Sequence, residues 1–398
     1  MQDPRLPPPR PSSQVEPVAS RGPVILIAGG GTGGHLMPAL AIAEAIRERY
    51  PDWDVVLAGA RRGIEARLLP NRPFRFHLLA AEPLYRRQWW RNLRWPFLAI
   101  RLIRETGRLL DLERPAAVLG TGGYASGPVA WLAARRGVPT AIFEPDARPG
   151  LTSRLLARRV DEVYLGVPEA ERLLGREGRK GREGRDGAVT RKPRFFLTGP
   201  PIVPPDPSAA ARGREVFGVD GTRPVVLITG GSQGALALNE TVASWIRSGR
   251  AERIQVIWAT GAGTYDRFRD FHHPPSVHVA AFLDPIAEAY AVADLAVTRA
   301  GMMTIAELCA WGLASILVPL PTAAQDHQTE NARVMAAAGA AVQVPQAELT
   351  VERLSEEVGS LTVNSARRSG LAAQARKRGR PEARAEILSH LERLIGPG

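Results

Sequence analysis

The chain has 398 residues, 44% hydrophobic and 23% charged, with a formal net charge of +12. That length suits two domains, and that hydrophobic share permits a sizeable core. A single cysteine, Cys309, excludes an internal disulfide framework and reads as a small buried residue, and no zinc-ligand cluster exists. The Arg surplus favours an anionic partner without choosing among nucleotide phosphates, nucleic acid and an acidic membrane surface.

In chain order, residues 1–22 are rich in Pro and lack an apolar run, so they read as a disordered leader and not a signal peptide. Residues 24–28 form a short apolar strand that runs into a glycine cluster, and a helix is predicted over 38–49. Strands follow at 55–58, 116–119, 140–143 and 162–165. Residues 172–194, dominated by Arg, Gly and Glu, read as an exposed insertion. The alternation restarts at 195–197, and Gly199-Pro200-Pro201 reads as an interdomain hinge. Further strands are predicted at 225–228, 255–258, 277–279, 295–297 and 316–318, and Pro381 opens a terminal helix ending at 394. Apolar strands alternating with helices predict an α/β protein with parallel sheets covered on both faces. The expected divisions are 23–199, 200–373 and a terminal segment, 374–398, packing back on the first domain. The uncharged stretches 22–43 and 115–134 are broken by Gly and Pro, which argues against membrane spans.

Three glycine loops each follow an apolar strand: Gly29-Gly30-Gly31-Thr32-Gly33-Gly34-His35, Gly120-Thr121-Gly122-Gly123-Tyr124-Ala125-Ser126-Gly127-Pro128 and Thr229-Gly230-Gly231-Ser232-Gln233-Gly234-Ala235. Glycines let backbone amides approach a phosphate closely, and a helix start favours negative charge. The first run fits a dinucleotide fingerprint only formally, because the second strand ends Ala58-Gly59-Ala60-Arg61 without a carboxylate for the ribose. It is no Walker loop either, since His35 stands where Lys is needed. Three such loops point to a shared ligand cleft at the strand ends. His35 either caps its loop or, with an ordinary pKa of about 6.5, takes a proton from a sugar hydroxyl. Glu307 is a carboxylate in an apolar helix, suited to two ribose hydroxyls. Gln325-Asp326-His327-Gln328-Thr329-Glu330-Asn331 adds donors and acceptors. Residues 84–104 concentrate Arg with Trp89, Trp90 and Trp95, a composition suited to a bilayer interface, with 98–103 readable as a core helix.

On these residues, with Asn239 and Thr298-Arg299-Ala300-Gly301, the chain resembles the MurG family of UDP-N-acetylglucosamine transferases of peptidoglycan synthesis and, more broadly, two-domain GT-B glycosyltransferases. The resemblance implies two Rossmann-like domains facing a central cleft. It implies transfer of N-acetylglucosamine (GlcNAc) from UDP-GlcNAc to the C4 hydroxyl of an undecaprenyl-pyrophosphoryl N-acetylmuramyl-pentapeptide, with inversion. His35 is then the candidate base. Ser232, Gln233 and Gly234 hold the donor pyrophosphate, Glu307 the ribose, and His327 and Gln328 face the donor sugar. Thr32, Gly33, Gly34 and Asp146 touch that sugar from the other side. Gly122, Gly123, Tyr124 and Ser126 take the acceptor, whose pyrophosphate lies near the first two loops.

No cofactor or tightly bound metal is implied, although a divalent cation can assist. The implied partners are the two substrates, an anionic membrane surface and other cell-wall or division proteins, with no nucleic acid. The implied location is the cytoplasmic face of the membrane, peripherally bound. The sequence departs from the family at Asp146 and Ser153, where Asn is usual, and at Gly199-Pro200-Pro201-Ile202-Val203, which lacks a phosphate-binding Arg; either Arg148 or Arg299 compensates, or activity is weaker or altered. The rival readings are another GT-B UDP-sugar transferase with a lipid or small-molecule acceptor and a non-catalytic nucleotide-sugar- or RNA-binding homologue.

Overall fold

A computed structural model describes residues 22–82, 94–179, 193–231, 234–323 and 326–396. The expected leader, most of the basic insertion, Trp89, Trp90, Ser232 and Gln233 lie outside the described residues. The first sheet holds β1 (Val24–Ala28), β2 (Asp54–Ala60), β3 (Arg75–Leu79), β4 (Ala117–Gly120), β5 (Thr140–Glu144), β6 (Glu162–Leu165) and β7 (Arg194–Leu197) in the order β3-β2-β1-β4-β5-β6-β7. The second holds β8 (Val225–Thr229), β9 (Gln255–Ala259), β10 (Val277–Ala280), β11 (Leu295–Thr298), β12 (Ala314–Leu317) and β13 (Val342–Gln343) in the order β10-β9-β8-β11-β12-β13. All strand pairings within both sheets are parallel.

Alternation along β1 sends side chains to opposite faces. Ile25 and Ile27 pack with α1 (Gly33–Arg49) and α15 (Ala383–Ile395), while Leu26 and Ala28 pack with α3 (Trp95–Glu113) and α4 (Ser126–Arg135). In the second sheet, Val226 and Ile228 pack against α8 (Leu236–Arg247) and α13 (Val351–Val363). Val225 and Leu227 face α10 (Ala287–Val292) and α11 (Met302–Trp311).

Both sheets reverse their strand order beside the strand that precedes a glycine loop. In the first, Ala28 pairs with Gly120, so the loops after β1 and β4 start side by side. In the second, Thr298 pairs with Thr229, so the loops after β8 and β11 do the same. Ligands of open parallel sheets bind at such switch points.

Four elements differ from expectation. The first helix begins at Gly33 and not at 38, because Thr32 is extended and its carbonyl accepts from the amides of His35 and Leu36. Helix α6 (Pro168–Arg179) runs into the stretch read as an insertion, held by Val167, Ala170 and Leu174 in the core. Strands β3 and β13 have no counterpart among the predicted strands. The chain recrosses to the first domain between α14 (Ser365–Arg378) and α15, later than residue 374. Arg378 donates to both carboxylate oxygens of Glu169 at 2.9 Å, tying α14 to the first domain beside the hinge.

Candidate active site

The first two glycine loops form one wall. Thr121 Oγ1 donates to the His35 carbonyl at 2.8 Å. A Cβ added to Gly123, at φ +82°, would stand 2.0 Å from the Gly30 carbonyl oxygen, and one on Gly122 would stand 2.4 Å from His35 Cδ2. Glycine is therefore required at both positions for the loops to meet. The Tyr124 ring lies over Gly31, where a Cβ would come within 2.5 Å of Cε1. A Cβ at Gly33 would meet nothing within 4 Å, so the start of α1 is open to a ligand.

Sequence reasoning missed Glu65, in the short helix α2 (Glu65–Leu68). Its side chain is fully buried, and Oε1 accepts from the amides of Gly31 at 2.9 Å and Ala60 at 2.6 Å. Gly30, Gly59 and Gly63 surround this carboxylate so closely that a Cβ on any of them would clash with it. The Gly31 amide is thus already engaged by the Glu65 side chain.

His35 Nδ1 lies 3.0 Å from Thr32 Oγ1. Burial lowers the imidazole pKa, the charges of Asp146 and Glu65 oppose that shift, and His327 reinforces it. His327 belongs to α12 (His327–Ala337) of the second domain. Asp146 and His327 therefore stand within electrostatic reach of His35 where the domains meet.

Asp146 follows β5. Its amide donates to Glu144 Oε1 at 3.1 Å, and the Gly150 amide donates to Glu144 Oε2 at 2.9 Å. Burial, with the Asp146 charge adding, pushes the Glu144 carboxyl up to about 7, against hydrogen bonds from Ser153, Gly150 and Asp146. Ser126 is buried under the second loop, its Oγ 2.6 Å from where a Cβ on Gly120 would stand.

On the second domain, Glu307 Oε2 accepts from Tyr290 OH at 2.8 Å, and burial raises its pKa. Gln328 Oε1 accepts from the Leu320 amide at 3.0 Å, which fixes α12 to the turn after β12. Asn239 is buried, donating to the Thr260 carbonyl at 2.8 Å and accepting from Trp258 Nε1 at 3.0 Å. Arg299, one of the two candidates to replace the missing hinge Arg, is committed elsewhere. It donates to the carbonyls of Val318 at 3.1 Å and Pro319 at 3.3 Å, and to Gln346 Oε1 at 2.6 Å. Gly234, at φ +76°, packs against the Thr260 carbonyl, and Gly231 is open. Among the described residues, no group of three or more His, Cys, Asp or Glu is placed to hold a metal ion.

Residues 25–165 match the glycosyltransferase family 28 N-terminal domain, and residues 225–387 match the glycosyltransferase family 28 C-terminal domain. This chain belongs to glycosyltransferase family 28. Within it, the chain falls in the MurG group. It is 38% identical over 368 residues to the "UDP-N-acetylglucosamine--N-acetylmuramyl-(pentapeptide) pyrophosphoryl-undecaprenol N-acetylglucosamine transferase" of Salinibacter ruber, covering 92% of this chain and 95% of that one. To the enzyme of the same name from Desulforamulus reducens it is 34% identical over 380 residues, covering 93% and 98%. The crystal structure of Acinetobacter baumannii MurG superimposes with a TM-score of 0.71 at 26% identity, over 93% of this chain and 99% of that one. In family 28 terms, His35 and Asp146 lie in the N-terminal domain and Glu307, His327 and Gln328 in the C-terminal domain. The hexosyltransferase class and the two-domain GT-B fold follow from that membership.

Proposed function

We infer that this chain transfers GlcNAc from UDP-GlcNAc to the C4 hydroxyl of a lipid-linked N-acetylmuramyl-pentapeptide, inverting an α donor to a β product. The carrying observation is that α12 of the second domain is bonded to Asp146 of the first, whose charge acts on His35, in a chain matched almost end to end by enzymes named for this transfer. With Nδ1–H donating to Thr32 Oγ1, Nε2 is left to accept the C4 proton. The freed oxygen attacks the anomeric carbon, and the bond to UDP breaks with its electron pair leaving on the diphosphate. Amides of the 230–235 loop, with Ser232, Gln233 and Gly234, stabilise that charge. Glu307 takes the ribose, and Gln328 and His327 the donor sugar, with Thr32, Gly33, Gly34 and Asp146 opposite. Gly122, Gly123 and Tyr124 line the acceptor side. This route needs no resident metal, and a divalent cation can assist the leaving diphosphate.

Protonated His35 cannot act as base, so turnover falls as pH drops through its pKa. Because that pKa is lowered, the acid limb of the kcat–pH profile should lie below the ordinary imidazole value of about 6.5. Glu65, Glu144 and His327 also face this region. Asp146→Asn removes a charge that raises the His35 pKa, and should move the limb further to acid. A limb unmoved or shifted to higher pH would count against His35 as the titrating base.

Among the described residues, no helix is long and apolar enough to cross a membrane. Helix α3 nonetheless exposes Phe97, Ile100 and Ile103 at 80%, 51% and 44%, interleaved with exposed Arg101 and Arg104. The stretch 98–103 is thus only partly core: Leu102 points inward, and Trp95 at the first turn is half-buried. This face rests on the anionic lipid surface from which the acceptor is drawn, at the cytoplasmic side. Burying such side chains contributes up to about 1.5–3 kcal/mol each, and each nearby Arg about 1 kcal/mol. Replacing Phe97, Ile100 and Ile103 together by Ser should weaken binding to anionic vesicles at least ~10-fold. Equal sedimentation of variant and parent would remove this face from membrane binding.

The reaction is tested with radiolabelled UDP-GlcNAc and the lipid-linked muramyl-pentapeptide. Labelled disaccharide lipid is expected. Label on a different lipid, with none on the muramyl acceptor, would identify another GT-B transferase.

A further inference from the structure

Asn331 lies on α12 of the second domain, and its side chain is fully buried. Oδ1 accepts from the Ala147 amide at 3.0 Å. Nδ2 donates to Asp146 Oδ1 at 2.8 Å and to the Ala300 carbonyl at 3.2 Å. A primary amide has two N–H donors and an acceptor oxygen, and here both donors and the oxygen are engaged. Its orientation follows from its partners, since the Ala147 N–H can only donate. One side chain thereby joins the loop after β5 in the first domain, the loop after β11 in the second, and α12, which carries His327 and Gln328.

We propose that Asn331 is a positioning residue, an interdomain latch that fixes Asp146 beside His35 only when the donor-side loops of the second domain are in place. This rests on the reading of His35 as the base. Asp146 stands close enough for its charge to act on the His35 imidazole, so Asn331 reaches the reacting groups through Asp146. The arrangement suits an Asp at 146, because a carboxyl oxygen accepts and an Asn331 donor meets it. Alternatively, Asn331 merely completes the packing of α12. The two roles differ in what they do to turnover and to the opposite domain.

Asn331→Asp sets a second carboxylate against Asp146 and the Ala300 carbonyl, in a buried place where like charges repel. It should lower kcat at least ~10-fold while UDP affinity, measured by calorimetry, changes less than ~3-fold. Amide exchange in the 143–151 segment, which contains the Ala147 N–H, should accelerate. Combining it with Asp146→Asn restores a donor facing an acceptor, so the double variant should turn over at least ~5-fold faster than Asn331→Asp alone and regain amide protection. The latch is overturned if Asn331→Asp leaves both kcat and 143–151 exchange at the parent values. It is equally overturned if single and double variants lose turnover and thermal stability to the same extent. Should the parent itself fail to label the muramyl acceptor, the assigned reaction falls, while exchange in the 143–151 segment still decides the latch.

Discussion

Replacing His35 by Ala should lower kcat by about a hundred- to ten-thousand-fold, the usual contribution of a positioned general base. Affinity for UDP should stay near the parent value, because the diphosphate is assigned to the second-domain loop and not to α1. The imidazole is packed against Gly122 and Gly123, its Nδ1 is engaged by Thr32, and its environment lowers the cost of staying neutral at pH 7. The bland account, a histidine that caps the start of α1, makes a different forecast: a small loss of stability, under about 1 kcal/mol, and turnover within a few fold of the parent. Steady-state kinetics with UDP calorimetry on the same preparation separates the two.

The second large effect is expected at the glycine pair. In Gly123→Ala the new methyl would meet the Gly30 carbonyl, a backbone atom that cannot step aside, at a φ of +82° that L-residues resist by roughly 1–2 kcal/mol. The two loops should part, lowering both Tm, by at least ~3 °C, and turnover. In Gly122→Ala the methyl meets the His35 ring and not backbone, again at positive φ, so the imidazole is displaced. Turnover should then fall out of proportion to Tm. Thermal melts beside kcat report this contrast. If Gly123→Ala melts and turns over like the parent, the two loops do not share the wall described above.

The strands and glycine loops are legible in the sequence because their causes are local. A buried parallel strand is mostly apolar, and a turn with positive φ favours glycine. Strand β3 is hidden because it is an edge carrying Arg75 and His77, whose partners come from other elements: Arg75 pairs with Asp54 and Glu113, and His77 Nε2 lies 2.6 Å from Glu113. Strand β13 is too short, at two residues, to show a pattern. Glu65 and Asn331 are hidden for the same reason as each other. The Gly31 partner of Glu65 and the Ala147 partner of Asn331 stand 34 and 184 residues away, and little in the neighbouring sequence announces a carboxylate in an amide pocket or an amide between domains. A weak signal existed for Glu65, in the glycines at 59 and 63 that flank it. Arg299 misleads in the opposite way, since a cation beside a cleft looks like a phosphate ligand until its three partners are seen.

A crystal structure with UDP-GlcNAc bound tests the whole account most directly. It should show the diphosphate on the 230–235 turn, the ribose at Glu307, and the anomeric carbon facing His35 Nε2 across a gap wide enough for one incoming hydroxyl. A donor seated elsewhere, or a sugar directed away from His35 with the two domains closed on it, would contradict the base, the donor site and their shared groove at once.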